Sequence, residues 1–332
     1  MEKIIFTDDT DSRLSECQES SINIRDISAG RSEKKTYLSV TPDGKTAIVH
    51  NKSGTFALTE NGGTRLFSTH YSYAGSFPPL TSIEGLERID TSKTTSMASM
   101  FDGQDRLTSL DLSMWDTGSV TNMNGMFSDC KSLKKIDIYR FKTSNVRDFR
   151  CMFFNCKALK RISLGGFDMR SATDLTSMFY GCRSLTEANI SDWRFERPVS
   201  LDLLFYGCKS LQSTDSFKWL ETTCAESMNA MFLGCSSLKE ADLPGFDTSG
   251  AKDMREMFAE CENIERVSMP CASTAKTPKI QGIFRACPNL KKVELPRHPM
   301  AARSLKKEAK RVIGCNTIGQ RDEKSVDTSK SI

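Results

Sequence analysis

The sequence predicts an α/β solenoid, a coil with a parallel β-sheet on its concave face and short helices on its convex face. Two observations carry this. The phrase "MFSDCKSL" (Met126–Leu133) returns as "MFFNCKAL" (Met152–Leu159) and "MFYGCRSL" (Met178–Leu185), each start 26 residues after the last. Within each unit the apolar pattern switches from an alternation to a spacing of three and four. A repeat of 20 to 50 residues means a solenoid or a propeller. The four strands of a propeller blade do not fit into 26 residues.

The unit is best anchored on phenylalanine: Phe101, Phe127, Phe153, Phe179, Phe205, Phe232, Phe258 and Phe284, each 26 or 27 residues after the last. Its strand is read from "LKKIDIYRF" (Leu133–Phe141), with neighbours "LTSLDLSMW" from Leu107 and "LKRISLGGF" from Leu159. Period two sends Ile136 and Ile138 inward and Asp137 outward. The period then changes. Val120, Met123, Met126, Phe127 and Cys130 fall at helical spacing, and Ser119, Asn145 and Ser171 stand where a helix takes its N-cap. Gly103, Asp129, Asn155, Gly181, Gly207 and Gly234 precede the next column, and these residue types tolerate the left-handed conformation that ends a helix.

The compound pattern V-x-x-M-x-x-M-F-x-x-C-x-x-L-x-x-L-x-L-x-x-[WF]-D-T resembles the BspA-like leucine-rich-repeat surface proteins of bacteria. "GLERIDTSKTTSMASMF" (Gly85–Phe101) and "SLDLSMWDTGSVTNMNGMF" (Ser109–Phe127) carry the resemblance, which covers residues from about 79 to 298. It implies a right-handed leucine-rich-repeat-like coil that recognises other proteins, often as an adhesin toward host tissue or other cells. It also implies a cell-surface or secreted location. The opening "MEKIIFTDDTDSRLSEC" shows no secretory signal, and neither a wall nor a lipid anchor is visible, so a cytoplasmic location is the alternative.

Cys130, Cys156, Cys182, Cys208, Cys235, Cys261 and Cys287 form one column, with Gln104 in that place in the first unit, as suits a more exposed end. Parallel side chains, one per coil, do not converge on a metal ion. Their vectors suit a disulfide poorly, and seven is an odd number. A buried thiol acting as a small hydrophobe is the better reading. The Met-Phe pairs, and an aromatic column of Trp115, Phe141, Phe167, Trp193, Trp219 and Phe246, also read as core, with sugar binding by the aromatics as a weaker alternative.

Outward strand positions line the concave sheet. The central column runs Asp111, Asp137, Ser163, Asn189, Asp215, Asp242, Ser268, Glu294, and its neighbour runs Ser109, Lys135, Arg161, Glu187, Ser213, Glu240, Arg266, Lys292. A solvated face and a protein-recognition face both fit this mixed charge. The candidate partner-binding residues are Lys135, Asp137, Tyr139, Arg161, Glu187, Asp215 and Phe217. The fifth unit breaks rhythm, with Thr214 and Ser216 where aliphatics belong. A one-residue slide, made by a bulge, puts Phe217 and Leu220 inward instead.

The ends complete the map. Residues 1–35 are polar and Ser-rich, and order is not expected there. Residues 36–78 alternate around turn signals and read as a β-meander capping the first coil. The solenoid of about eight coils spans 79–298. Residues 299–332 hold a basic amphipathic helix, Ser304–Ile318, that can cap the last coil, and a tail.

With 332 residues, a net charge of +4 and only three histidines, the chain has an ordinary soluble composition. It shows no phosphate loop, no H-E-x-x-H and no long apolar run. The sequence therefore points to a non-enzymatic, cofactor-free and metal-free monomer whose partner is a protein, with no nucleic acid and no membrane span. The resemblance to the BspA-like proteins implies a role in surface adhesion or host interaction; the missing signal and the free thiols favour an intracellular scaffold as the alternative.

Overall fold

The computed structural model describes residues 3–8, 18–20, 27–28, 37–40, 45–51, 56–58, 66–69, 79–273, 278–296 and 303–313. Their body is a parallel β-solenoid. Ser109–Asp111 pairs with Lys135–Asp137, Arg161–Ser163 with Glu187–Asn189, and Glu240–Asp242 with Arg266–Ser268, which pairs in turn with Lys292–Glu294. Each partner lies one repeat away in sequence, so the repeat length sets the register. A second, narrower parallel ladder runs through Ser96, Asn122, Asp148, Asp174 and Ser200, and then through Ser227, Asp253 and Lys279.

The core is a stack. Phe101, Phe127, Phe153, Phe179 and Phe205 lie ring over ring at 5.3–5.6 Å between neighbours, and Phe67 extends the stack at 5.1 Å. Phe232, Phe258 and Phe284 continue it. Side chains of identical columns meet because successive coils are in register. In the strands, Leu110, Ile138 and Leu164 are buried while Ser109, Asp111 and Ser163 are exposed. Ile136 is only partly buried against the core.

The short helices expected in each unit are absent. Residues 123–130 show why. Met123, Gly125, Phe127 and Asp129 donate their N–H groups to the carbonyls of Asp148, Arg150, Met152 and Phe154 in the next coil, at 2.7–2.9 Å. Met126, Ser128 and Cys130, between them, donate to the residue three back, at 3.0–3.2 Å. Four of the eight donors thus join the neighbouring coil, three close tight turns, and the Asn124 N–H donates to the Asn122 side chain. Every backbone donor finds a partner, as burial requires, and none is left for an α-helical bond. Apolar spacing of three and four serves this string of turns as well as it serves a helix. Ser119 and Asn145 accordingly cap no helix. Their side chains donate to carbonyls of the preceding coil, Ser92 and Gly118.

The turn string needs two left-handed residues per coil. One slot was legible and holds Gly103, Asp129, Asn155, Gly181, Gly207 and Gly234 at φ 54–79°. The other lies four residues earlier and holds Ser99, Gly125, Cys151, Ser177, Leu203 and Ala230 at φ 53–60°. An L-residue costs roughly 1–2 kcal/mol in this conformation, which the coil-to-coil hydrogen bonds offset.

The fifth unit has no strand at the position that forms the sheet face in the other units. Asp215–Phe217 forms a 3-10 turn in place of the expected bulge. The register shift falls instead in the Val199–Ser200 ladder with Ala225–Ser227. Phe217 and Leu220 do turn inward and are fully buried. Thr214, also buried, exchanges two 3.0 Å hydrogen bonds with the main chain of Asp242, which suits a hydroxyl where an aliphatic was expected.

Within the N-terminal segment the described residues 3–8, 18–20 and 27–28 are strands. Lys3–Asp8 is a strand between Thr46–Asn51 and Ser82–Glu84, parallel to both, and Ile4, Ile5 and Phe6 are buried. Tyr37–Val40 pairs antiparallel with Thr46–Asn51. Phe56–Leu58 leaves that hairpin to pair with Ile27–Ser28 and with Ile89–Asp90. At the other end, the helix Arg303–Ile313 buries Leu305 and Ala309 in the same core. The expected helix residues beyond Ile313 lie outside the described residues.

Candidate recognition surface

The strand face is built from outward positions of coils that the core holds in register. Arg161 and Glu187 are directly paired residues of adjacent strands, and their side chains lie 3.6 Å apart. With Thr186, Ser213, Asp215 and Ser216 they line an open concavity of about 430 Å³. It lies where the turn Asp215–Phe217 of the fifth unit follows the strand Glu187–Asn189. The hydroxyl of Ser213 donates to the Asp215 carboxylate at 3.0 Å.

Of the seven predicted contact residues, Arg161, Glu187 and Asp215 converge on this concavity. Lys135 is exposed in the strand Lys135–Asp137, and Asp137 is partly buried. Tyr139 is 64% exposed with the Arg140 guanidinium 5.3 Å from its ring centre, and its N–H points at the Asp137 carboxylate. Phe217 is a correction. It is sandwiched between Phe205 and Phe232 at 5.0 and 5.9 Å, so it supports the surface from below and touches no partner.

Accessibility narrows the surface further. The central column is exposed at Asp111, Ser163, Asn189 and Asp215 but buried at Ser268 and Glu294. There the Arg266 guanidinium spans Glu240 and Glu294 at 3.7 and 2.6 Å. Burial works to raise the Glu294 pKa, but hydrogen bonds from Lys292 and Arg266 outweigh it and hold the carboxyl at about 2. Near the other end, Ser113 hydrogen bonds hold Asp111 below the usual carboxylate range. The open part of the face is therefore coils one to five.

Two exposed apolar residues were missed. Trp219 was expected in the core column, but the slide that buries Phe217 and Leu220 turns it outward, 58% exposed. The next coil accommodates its backbone with Gly245, where a Cβ would meet Trp219 C and Leu220 O at 2.9 Å. Met114, 64% exposed, had no signal in the repeat. Gln104 is a further correction: it is fully buried, not at an exposed end. Its amide donates to Phe67 O at 2.6 Å and accepts from Leu80 N–H at 2.7 Å, joining the first coil to the N-terminal unit.

The seven column cysteines are buried and unpaired, and each thiol donates to the carbonyl of a phenylalanine in the preceding coil. Burial pushes Cys182 and Cys235 up to about 12 and Cys287 to about 11. Among the described residues no group of three or more His, Cys, Asp and Glu is arranged to hold a metal, and no helix is long and apolar enough to cross a membrane.

Residues 71–193 and 173–293 both match the family model described as "Mycoplasma protein of unknown function, DUF285". The chain belongs to the DUF285 family. Two overlapping matches in tandem agree with a solenoid that repeats one unit. Among solved structures, this DUF285 chain is similar to a leucine-rich repeat protein of T. pallidum, at 16% identity and a TM-score of 0.36, covering 68% of this chain and 86% of that one. It is also similar to a leucine-rich repeat protein of Leptospira interrogans, at 14% identity and a TM-score of 0.26, covering 74% and 76%. No curated protein matches the chain.

Proposed function

We propose that this DUF285 chain is a protein-recognition module that docks a protein partner on the strand face of coils two to five, acting in surface adhesion or host interaction as in the BspA-like proteins it resembles. One observation carries the reading. An exposed aromatic with a cation over its ring, Tyr139, stands on the same face as a charged concavity lined by Arg161, Glu187 and Asp215. Tyr and Arg are residue types that anchor interfaces, and a reversal of sign along a charged column fixes orientation. Lys135 and Asp137 stand in the strand of the preceding coil. The face has no continuous basic stripe of the kind that tracks nucleic acid.

The test is capture of a partner from host or cell extract, identified by mass spectrometry. The triple variant Tyr139→Ala, Arg161→Ala, Glu187→Ala should lose that partner while its circular dichroism and Tm stay unchanged. Retained capture refutes the site. A second reading, an intracellular scaffold, is favoured by the ten unpaired thiols among the described residues, since free thiols persist in reducing compartments. Protease shaving of intact cells separates the two: released peptides place the chain on the surface, and their absence supports the scaffold.

A further inference from the structure

A second concentration of charge adjoins the strand face and shares Lys135 and Arg161 with it. One position of the turn string carries a cation in four consecutive coils: Lys131, Lys157, Arg183 and Lys209. Three or four residues on, Lys134 and Lys135 follow in the second coil, and Lys160 and Arg161 in the third. Backbone hydrogen bonds inside the band hold the coils together. Ala158 N–H donates to Lys131 O and Ser210 N–H to Arg183 O, both at 3.1 Å, and Thr186 N–H donates to Lys160 O at 2.8 Å.

Most of this charge is uncompensated. Lys131 meets Asp105 and Asp129 only at 3.9 Å, and Arg161 meets Glu187. Lys134, Lys135, Lys157, Lys160, Arg183 and Lys209 form no ion pair among the described residues. In sequence, Ser132, Ala158, Ser184 and Ser210 separate the first cation column from the rest, so small side chains, three of them hydroxylic, lie between the cations.

We propose that this band binds an acidic polysaccharide lying along the solenoid axis, with its anionic groups on the cations and its hydroxyls on the serines. The neighbouring aromatics favour this over nucleic acid. Phe154, Tyr180 and Tyr206, three residues before the cations of coils three to five, stack on one another at 4.8 and 4.4 Å with planes 13° and 3° apart. The faces they turn to one another are occupied, both of them at Tyr180, whereas single-stranded nucleic acid needs open faces on which bases stack. What such a ladder shows is ring edge, the positive pole of the aromatic quadrupole, which repels no anion. The pitch disfavours an acidic peptide. Cations one coil apart repeat at about 4.8 Å, while an extended peptide repeats same-side residues at about 6.7 Å.

The test is binding of the full chain to immobilised heparin, in parallel with poly-dT and poly-glutamate. Lys157→Ser, Arg183→Ser, Lys209→Ser together should weaken heparin binding at least tenfold and flatten its salt dependence, with Tm unchanged. Lys306→Ser, Lys307→Ser, Lys310→Ser removes the same charge from the C-terminal helix and should change the affinity less than twofold. Equal loss in both variants, loss in the helix variant alone, or no binding at low salt overturns the proposal. So does tighter binding of poly-dT or poly-glutamate than of heparin. The band variant leaves Tyr139, Arg161 and Glu187 intact, so protein capture on the strand face succeeds or fails independently.

Discussion

The thiol of Cys182 donates a hydrogen bond to the main-chain carbonyl of Phe153, one coil back, at 3.0 Å. The same pairing joins Cys156 to Phe127 and Cys208 to Phe179. Cysteine is thus small enough for the core slot and still offers a donor to the preceding coil.

This arrangement predicts thiol reactivity. In the native protein Cys271, the exposed one among the described cysteines, should react before the other described thiols, and the seven column thiols should stay silent. Denaturation without reductant should release all seven. If it does not, the column is disulfide-bonded.

The same burial gives a pH dependence. The column pKa values are raised above the ordinary 9, to about 12 for Cys182 and Cys235 and about 11 for Cys287. A raised value means the stabilisation is intact below about pH 9, where the unfolded thiols are still protonated, and is lost as pH rises toward 11–12. Each thiol that ionises only on unfolding adds about 1.4 kcal/mol per pH unit to the slope. Urea midpoints should fall steeply across this window, and Cys182→Ala should make the fall shallower.

Acid acts through Glu294. Its carboxyl is depressed from 4.5 to about 2, so its contribution is present above about pH 4.5 and disappears as pH falls to 2. Glu294→Gln should lower the Tm at pH 6 and narrow the difference between pH 6 and pH 2. An unchanged difference removes the Arg266–Glu294 pair as its cause.

Strand phase is open to truncation. Leu164→Ala, at a fully buried site, should cost roughly 2–5 kcal/mol. Ser163→Ala, beside it and exposed, should stay within about 0.5 kcal/mol. Equal costs in urea titration contradict the assigned phase.

Gln104 ties the first coil to the N-terminal unit. Gln104→Ala removes the hydrogen bond to Phe67 O and leaves the Leu80 N–H buried without its acceptor, at roughly 1–3 kcal/mol. A lower Tm with earlier proteolysis of the N-terminal unit is expected, and an unchanged Tm refutes the tie.

The sequence alone determined the coil. A phenylalanine and a cysteine returning every 26 residues can be buried only if each lies on its predecessor, so period, register, core columns and the inward strand phase followed from pattern. It also located Arg161, Glu187 and Asp215 on one face. What it left open was the conformation of the Val120–Cys130 segment and its equivalents, because apolar residues three and four apart satisfy a helix and a string of turns alike. The tertiary structure decided that. Only when the next coil is present can Phe127 N–H reach Met152 O, and that bond removes the donor a helix needs. The neighbour likewise decided which side chains stay outside. Thr214 found its partners on Asp242, the fifth strand gave way to a turn, and Trp219 was left in solvent while Phe217 entered the stack.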